Sequence, residues 1–107
     1  MIRYIDRDGI PISAEEWACL FRNRRYALVR EDGNGSEVVI TSWVGVLSEL
    51  DPKQELYLVE RQRKLPDPET GIDRWQLVEE FWRPSEKAAR LLHARILTEI
   101  RRQAIPA

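Results

Sequence analysis

The run Asp32-Gly33-Asn34-Gly35-Ser36 constrains this chain more than any other feature, because it separates two β-rich segments. Glycine and asparagine tolerate the positive φ that tight reversals require. Arg25–Glu31 and Glu37–Val46 are therefore predicted to fold back on each other as an antiparallel hairpin. Asp51-Pro52 breaks the chain again, and Glu55–Lys64 then alternates as a third strand. Leu65–Asp73 carries Pro66, Pro68 and Gly71 and reads as a loop. Arg74–Arg83 is the fourth strand, with Trp75, Leu77 and Phe81 expected on one side and Val78 and Trp82 on the other. Tyr4–Asp6 is a candidate extra strand, closed by the turn-forming Asp8-Gly9.

Two helices complete the pattern. In Ile12-Ser13-Ala14-Glu15-Glu16-Trp17 the serine reads as an N-cap and Glu16 as its capping-box partner, with Ile12 and Trp17 placed as a hydrophobic staple. Trp17, Leu20 and Phe21 follow the i, i+3, i+4 rule, and Asn23 ends the segment. Pro84-Ser85 opens a longer helix, with Ala88, Ala89, Leu92, Ile96 and Ile100 as its buried stripe and Arg101 and Arg102 at its negative end. The fold class expected is α+β: an antiparallel four-stranded meander, a candidate short N-terminal strand, and two helices packed on one face.

Composition narrows the function classes. The 107 residues suit one domain spanning 1–107, and 17 basic against 18 acidic side chains leave a formal net charge of −1. No apolar run reaches the length of a membrane span, and Arg3, Asp6, Arg7 and Asp8 interrupt any signal-peptide core. The single cysteine, Cys19, allows neither an internal disulfide nor a zinc site of several thiolates, which points to the cytoplasm. His93 is the only histidine and lies beside the apolar stripe of the last helix, so a buried, hydrogen-bonded role is expected rather than a catalytic one. Asp67, Glu69 and Asp73 superficially resemble a calcium loop, but Val78 stands where the bidentate glutamate belongs. No catalytic residue, cofactor or metal ligand is expected.

What remains are surfaces. Val38, Ile40, Val44 and Val46 are expected to face the helices, together with Leu56 and Leu58. The opposite face would then hold Trp43, Tyr57 and Trp82 beside Arg61 and Arg63, residue types that anchor protein interfaces. The plain alternative is a sheet whose tryptophan and tyrosine cover nothing but itself. A second surface is cationic. From Pro84 to Arg102 there are five cations and two anions. Lys87, Arg90, Arg101 and Arg102 fall outward there, and with Arg22, Arg24 and Arg25 they are the candidates for nucleic acid.

The opening Tyr4-Ile5-Asp6-Arg7-Asp8-Gly9-Ile10-Pro11-Ile12-Ser13-Ala14-Glu15-Glu16-Trp17 resembles the start of a group of small uncharacterised bacterial proteins. Their V-x-T-x-W-x-G strand is similar to Val39-Ile40-Thr41-Ser42-Trp43-Val44-Gly45, and their ending resembles Pro84-Ser85-Glu86-Lys87-Ala88-Ala89. The 65–73 loop and the arginine-rich ending depart from that pattern. The group occurs with phage and other mobile elements as well as in host chromosomes. The resemblance implies an accessory protein that acts by binding, with a host-defence complex such as a CRISPR effector as one target, and it carries no site residues.

The expectation is thus a non-enzymatic interaction module whose partner is another protein or a second copy of itself. Nucleic-acid binding is the alternative and an enzyme of unknown type the third. No membrane partner is expected.

Overall fold

The computed structural model describes residues 1–51 and 53–103. Its elements run β1 (Ile2–Ile5), β2 (Pro11–Ile12), α1 (Ala14–Arg22), α2 (Arg24–Ala27), β3 (Leu28–Gly33), β4 (Glu37–Trp43), β5 (Val46–Ser48), β6 (Tyr57–Pro66), β7 (Asp73–Arg83) and α3 (Glu86–Gln103). The class is α+β, and β3-β4-β6-β7 form a four-stranded antiparallel sheet in sequential order. The single-meander expectation needs one correction. A second sheet of order β2-β1-β5 takes up the N-terminal strand, which pairs with β2 and β5 rather than with the main sheet.

That second sheet exists because the strand expected over Glu37–Val46 breaks at Val44-Gly45. Gly45 has φ +70, and a Cβ there would collide with the Trp43 indole and the Ile5 carbonyl. The glycine lets the chain leave the main sheet beside Trp43 and enter β5. Two hydrogen bonds fasten the junction: the Trp43 Nε1–H donates to the Ile5 carbonyl at 2.9 Å, and the Ile5 N–H donates to the Gly45 carbonyl at 2.9 Å. Two further boundaries differ from expectation. Arg24–Ala27 coils into a helical turn capped by the Asn23 side chain, and β6 and β7 extend through Pro66 and from Asp73, shortening the intervening loop.

The helix starts follow their caps. Ser13 Oγ accepts from the Glu16 N–H at 3.1 Å while Glu16 reaches back to the Ser13 N–H, completing the capping box. Ser85 Oγ accepts from the Ala88 N–H at 3.2 Å and opens α3. Ala89, Ile96, Leu97 and Ile100 of α3 bury against Val39, Trp43, Tyr57 and Val59 of the sheet. Trp17, Leu20, Tyr26 and Ala27 of α1 and α2 pack on that same core, half-buried. All three helices therefore serve one side of the main sheet.

A candidate interaction surface

Strand register decides which side chains meet the helices. In β4 the buried set is Val39, Thr41 and Trp43, each with no exposed surface, and Glu37 joins them. Through the pairs Val39↔Arg61, Thr41↔Val59 and Trp43↔Tyr57, the β6 set facing the helices is Tyr57, Val59 and Arg61. This inverts the expected phase. Val38, Ile40 and Leu58, expected inward, alternate to the other face and are only half-buried.

The proposed anchors Trp43, Tyr57 and Arg61 therefore do not emerge on the uncovered face. They are core residues, at 0%, 3% and 6% exposure. Trp43 lies edge-on to Tyr26, and burial first, then the Glu86 carboxylate, pushes the Tyr57 hydroxyl pKa up to about 12. Arg61 is held by Glu37, through Nη2 to Oε2 at 3.2 Å, and by the Gln103 side-chain oxygen at 2.9 Å. Arg63, half-exposed on the same inner side, donates from Nε to Glu37 Oε1 at 2.6 Å. Burial alone would raise the Glu37 carboxyl pKa, but hydrogen bonds and charge from Arg63 and Arg61 outweigh it and hold the group below the usual range. Both arginines thus close the end of the core beside α3, and neither is available to a partner on the other face.

The inner side also contains a hydrogen-bonded row that spacing in the sequence did not reveal. His93 Nε2 lies 2.8 Å from Asp32 Oδ2, and its Nδ1 lies 2.7 Å from Thr41 Oγ1. A carboxylate only accepts, so Nε2 carries the proton and Nδ1 accepts from the Thr41 hydroxyl. Asp32 is held below the usual carboxylate range, its burial outweighed by the His93 and Arg30 hydrogen bonds. The connectivity is that of a hydroxyl–imidazole–carboxylate relay. Yet Thr41 and His93 have no exposed surface, so no substrate reaches the hydroxyl. The row ties α3 to β3 and β4. Among the described residues, no three His, Cys, Asp or Glu side chains come together as a metal site.

Of the expected anchors, Trp82 alone stands on the sheet face turned away from the helices, at 37% exposure. A register shift between Arg61 and Gln62 explains its company: Arg61 pairs with Glu79 but Gln62 with Leu77, leaving Val78 as an extra residue. The bulge reverses the alternation of β7, so Trp75 and Leu77 share the outer face with Glu80 and Trp82 while Phe81 turns inward. Across the strands this face reads in rows. One is Leu28, Ser42, Leu58 and Trp82; the next is Glu31, Ile40, Glu60 and Glu80; the third is Gly33, Val38, Gln62 and Leu77; Lys64 and Trp75 follow. No helix of the described residues covers it. Four strands at ordinary spacing set the outermost two about 14 Å apart.

The cations of the alternative reading lie elsewhere. Arg22, Arg24 and Arg25 sit at the α1–α2 turn, where Arg24 is bound to Glu31 at 3.3 Å. Lys87, Arg90, Arg101 and Arg102 line the exposed side of α3, with Arg90 bound to Glu86 at 3.0 Å. No helix among the described residues is long and apolar enough to cross a membrane. No known family, curated protein or solved structure matches the chain.

Proposed function

We propose that this protein is a non-enzymatic interaction module that binds another protein through the outer face of the β3-β4-β6-β7 sheet. The observation that carries this is the double apolarity of β4. Its inner set, Val39, Thr41 and Trp43, is covered by the helices, and of its outer residues Val38, Ile40 and Ser42 the first two are apolar as well. An antiparallel strand with one solvated face ordinarily alternates apolar and polar residues, so apolar residues on both faces suit a sheet covered on both. Here the outer set continues into Leu58, Leu77, Trp75 and Trp82, the last three at 52%, 46% and 37% exposure. A group of large exposed apolar side chains on one face marks an interaction site more often than the same side chains scattered singly. Such a face suits a small accessory or inhibitor protein that acts by occupying a larger complex, the role implied by the mobile-element resemblance.

The test is affinity capture from the native host with four forms of the chain. The unmodified protein should retain a partner that the Leu77→Asp and Trp82→Ala variants lose, with circular dichroism unchanged. A variant with Arg90, Arg101 and Arg102 changed to Gln should retain it. The opposite pattern, with the partner or nucleic acid lost only on removing the α3 arginines, would overturn the reading.

A further inference from the structure

The outer face is apolar but not neutral. The register Glu31↔Ile40, Ile40↔Glu60, Glu60↔Glu80 sets three carboxylates in one row across all four strands. Glu60 and Glu80 are direct cross-strand neighbours, with Cβ atoms about 5 Å apart in such a pair, and like charges so placed oppose folding. Among the described residues, neither has a cation within ion-pair distance, and the nearest polar help is the Gln62 side-chain amide, 3.5 Å from Glu60 Oε2. Their neighbouring rows are Leu58 with Trp82 on one side and Val38, Gln62 and Leu77 on the other. Along the strands the Glu60–Glu80 pair therefore lies between apolar neighbours, with Glu60 on an inner strand and Glu80 on the edge strand β7.

That placement fixes the sign of whatever covers it. A neutral apolar partner would strip water from paired negative charges without compensation, which is costly. A second copy laid face to face would add three more carboxylates to the row, and nucleic-acid phosphates would meet the same repulsion. A basic side chain between Glu60 and Glu80 would relieve their conflict and lie beside the Trp82 ring, where a cation is further favoured.

We propose, building on the docking face above, that its occupant is a cationic amphipathic segment of a partner protein. Its Lys or Arg side chains lie along Glu60 and Glu80, and its apolar side chains rest on Leu58, Leu77 and Trp82. Relief of the carboxylate conflict is realised only in the complex, so the face selects its partner by charge as well as by shape.

Two synthetic amphipathic peptides test this on the intact protein, one of leucine and lysine and one of leucine and glutamate, with binding followed by calorimetry at low and high salt. The lysine peptide should bind about tenfold or more tightly than the glutamate peptide, with the advantage shrinking at high salt. Glu60→Gln with Glu80→Gln should reduce that advantage by roughly tenfold, at about threefold per exposed pair. Glu60→Lys with Glu80→Lys should reverse the preference. Both variants keep their apolar neighbours, and circular dichroism checks their fold. Equal binding of the two peptides, abolished by Leu77→Asp, would retain the docking face and overturn the charge assignment. Lysine-peptide binding that survives Leu77→Asp, or no binding of that peptide at low salt, would overturn the proposed occupant as well.

Discussion

Replacing two of the three β-strand tryptophans, Trp43 and Trp82, one at a time separates the two faces of the sheet. Trp43 is wholly enclosed, packed edge-on to Tyr26 with ring centroids 5.1 Å apart, and its Nε1–H donates to the Ile5 carbonyl at 2.9 Å. Trp43→Ala removes a fully buried indole, a change that costs about 3–5 kcal/mol in a packed core. It also strips the Ile5 carbonyl of that side-chain donor, for about 1 kcal/mol more. For a domain of this size a loss of about 4–6 kcal/mol lowers the melting temperature by on the order of 20–30 °C. Trp82 is 37% exposed and lies over Leu58 on the outer face, so Trp82→Ala should cost about 1 kcal/mol. Urea unfolding followed by far-ultraviolet circular dichroism measures both without relying on tryptophan emission. Trp43→Phe, which keeps a ring and loses only the hydrogen bond and some volume, gives a readable value of about 1–2 kcal/mol if the alanine variant fails to fold. Equal costs at the two positions, or a larger cost at Trp82, would refute the phase of the sheet and everything placed on its outer face.

Gly45→Ala should destabilise by about 3 kcal/mol or more, since φ +70 is costly for a side chain and the new Cβ meets the Trp43 ring and the Ile5 carbonyl. Gly9→Ala, at φ +84 with open space around it, should lose only about 1 kcal/mol, and thermal melts of the pair would expose the reasoning if the two matched. His93 titrates below its ordinary 6.5, first because of burial, with the Asp32 hydrogen bond opposing only in part. The unfolded chain therefore takes up that proton more readily, so stability should fall as pH drops below about 6.5. The depressed carboxyls of Asp32, Glu37 and Glu86 act in a lower window, below 3.8–4.5. Urea titrations at pH 7.5 and 5.5 should show this loss in the parent and a flatter response in His93→Gln; identical slopes would contradict the assignment.

Local chemistry was legible in the sequence wherever a few adjacent residues decide the outcome. Ser13 with Glu16, Ser85, the Asn34-Gly35 reversal and the Ala89, Ile96 and Ile100 stripe all lie where their spacing puts them. The phase of β4 was not legible, because both of its alternating sets are apolar and period-two patterning cannot rank Val38 and Ile40 below Val39 and Trp43. Thr41 and Arg61 look like solvent residues until their partners are known, and those partners, His93, Glu37 and Gln103, are 52, 24 and 42 residues away in sequence. Trp82 lies on the outer face as expected, but Leu77 and Trp75 share that face farther along β7, because the bulge at Val78 shifts the alternation by one residue. The V-x-T-x-W-x-G pattern, which carried the family resemblance, resolves into three inward side chains and the glycine that clears the indole. Its meaning here is architectural. The doubly apolar β4 is the sequence signal for the proposed interaction face, and its inward and outward sets are the reverse of those expected.

Side-chain hydroxyl-radical footprinting of the free and partner-bound protein tests whether one face of the four-stranded sheet stands bare until a partner covers it. In the free chain Trp75, Leu77 and Trp82 should be oxidised readily while Trp43 and Tyr57 are spared, and the first three should become protected in the complex. Protection of Trp82 and Leu77 in the free chain, or their unchanged oxidation when the partner is bound, would contradict the account.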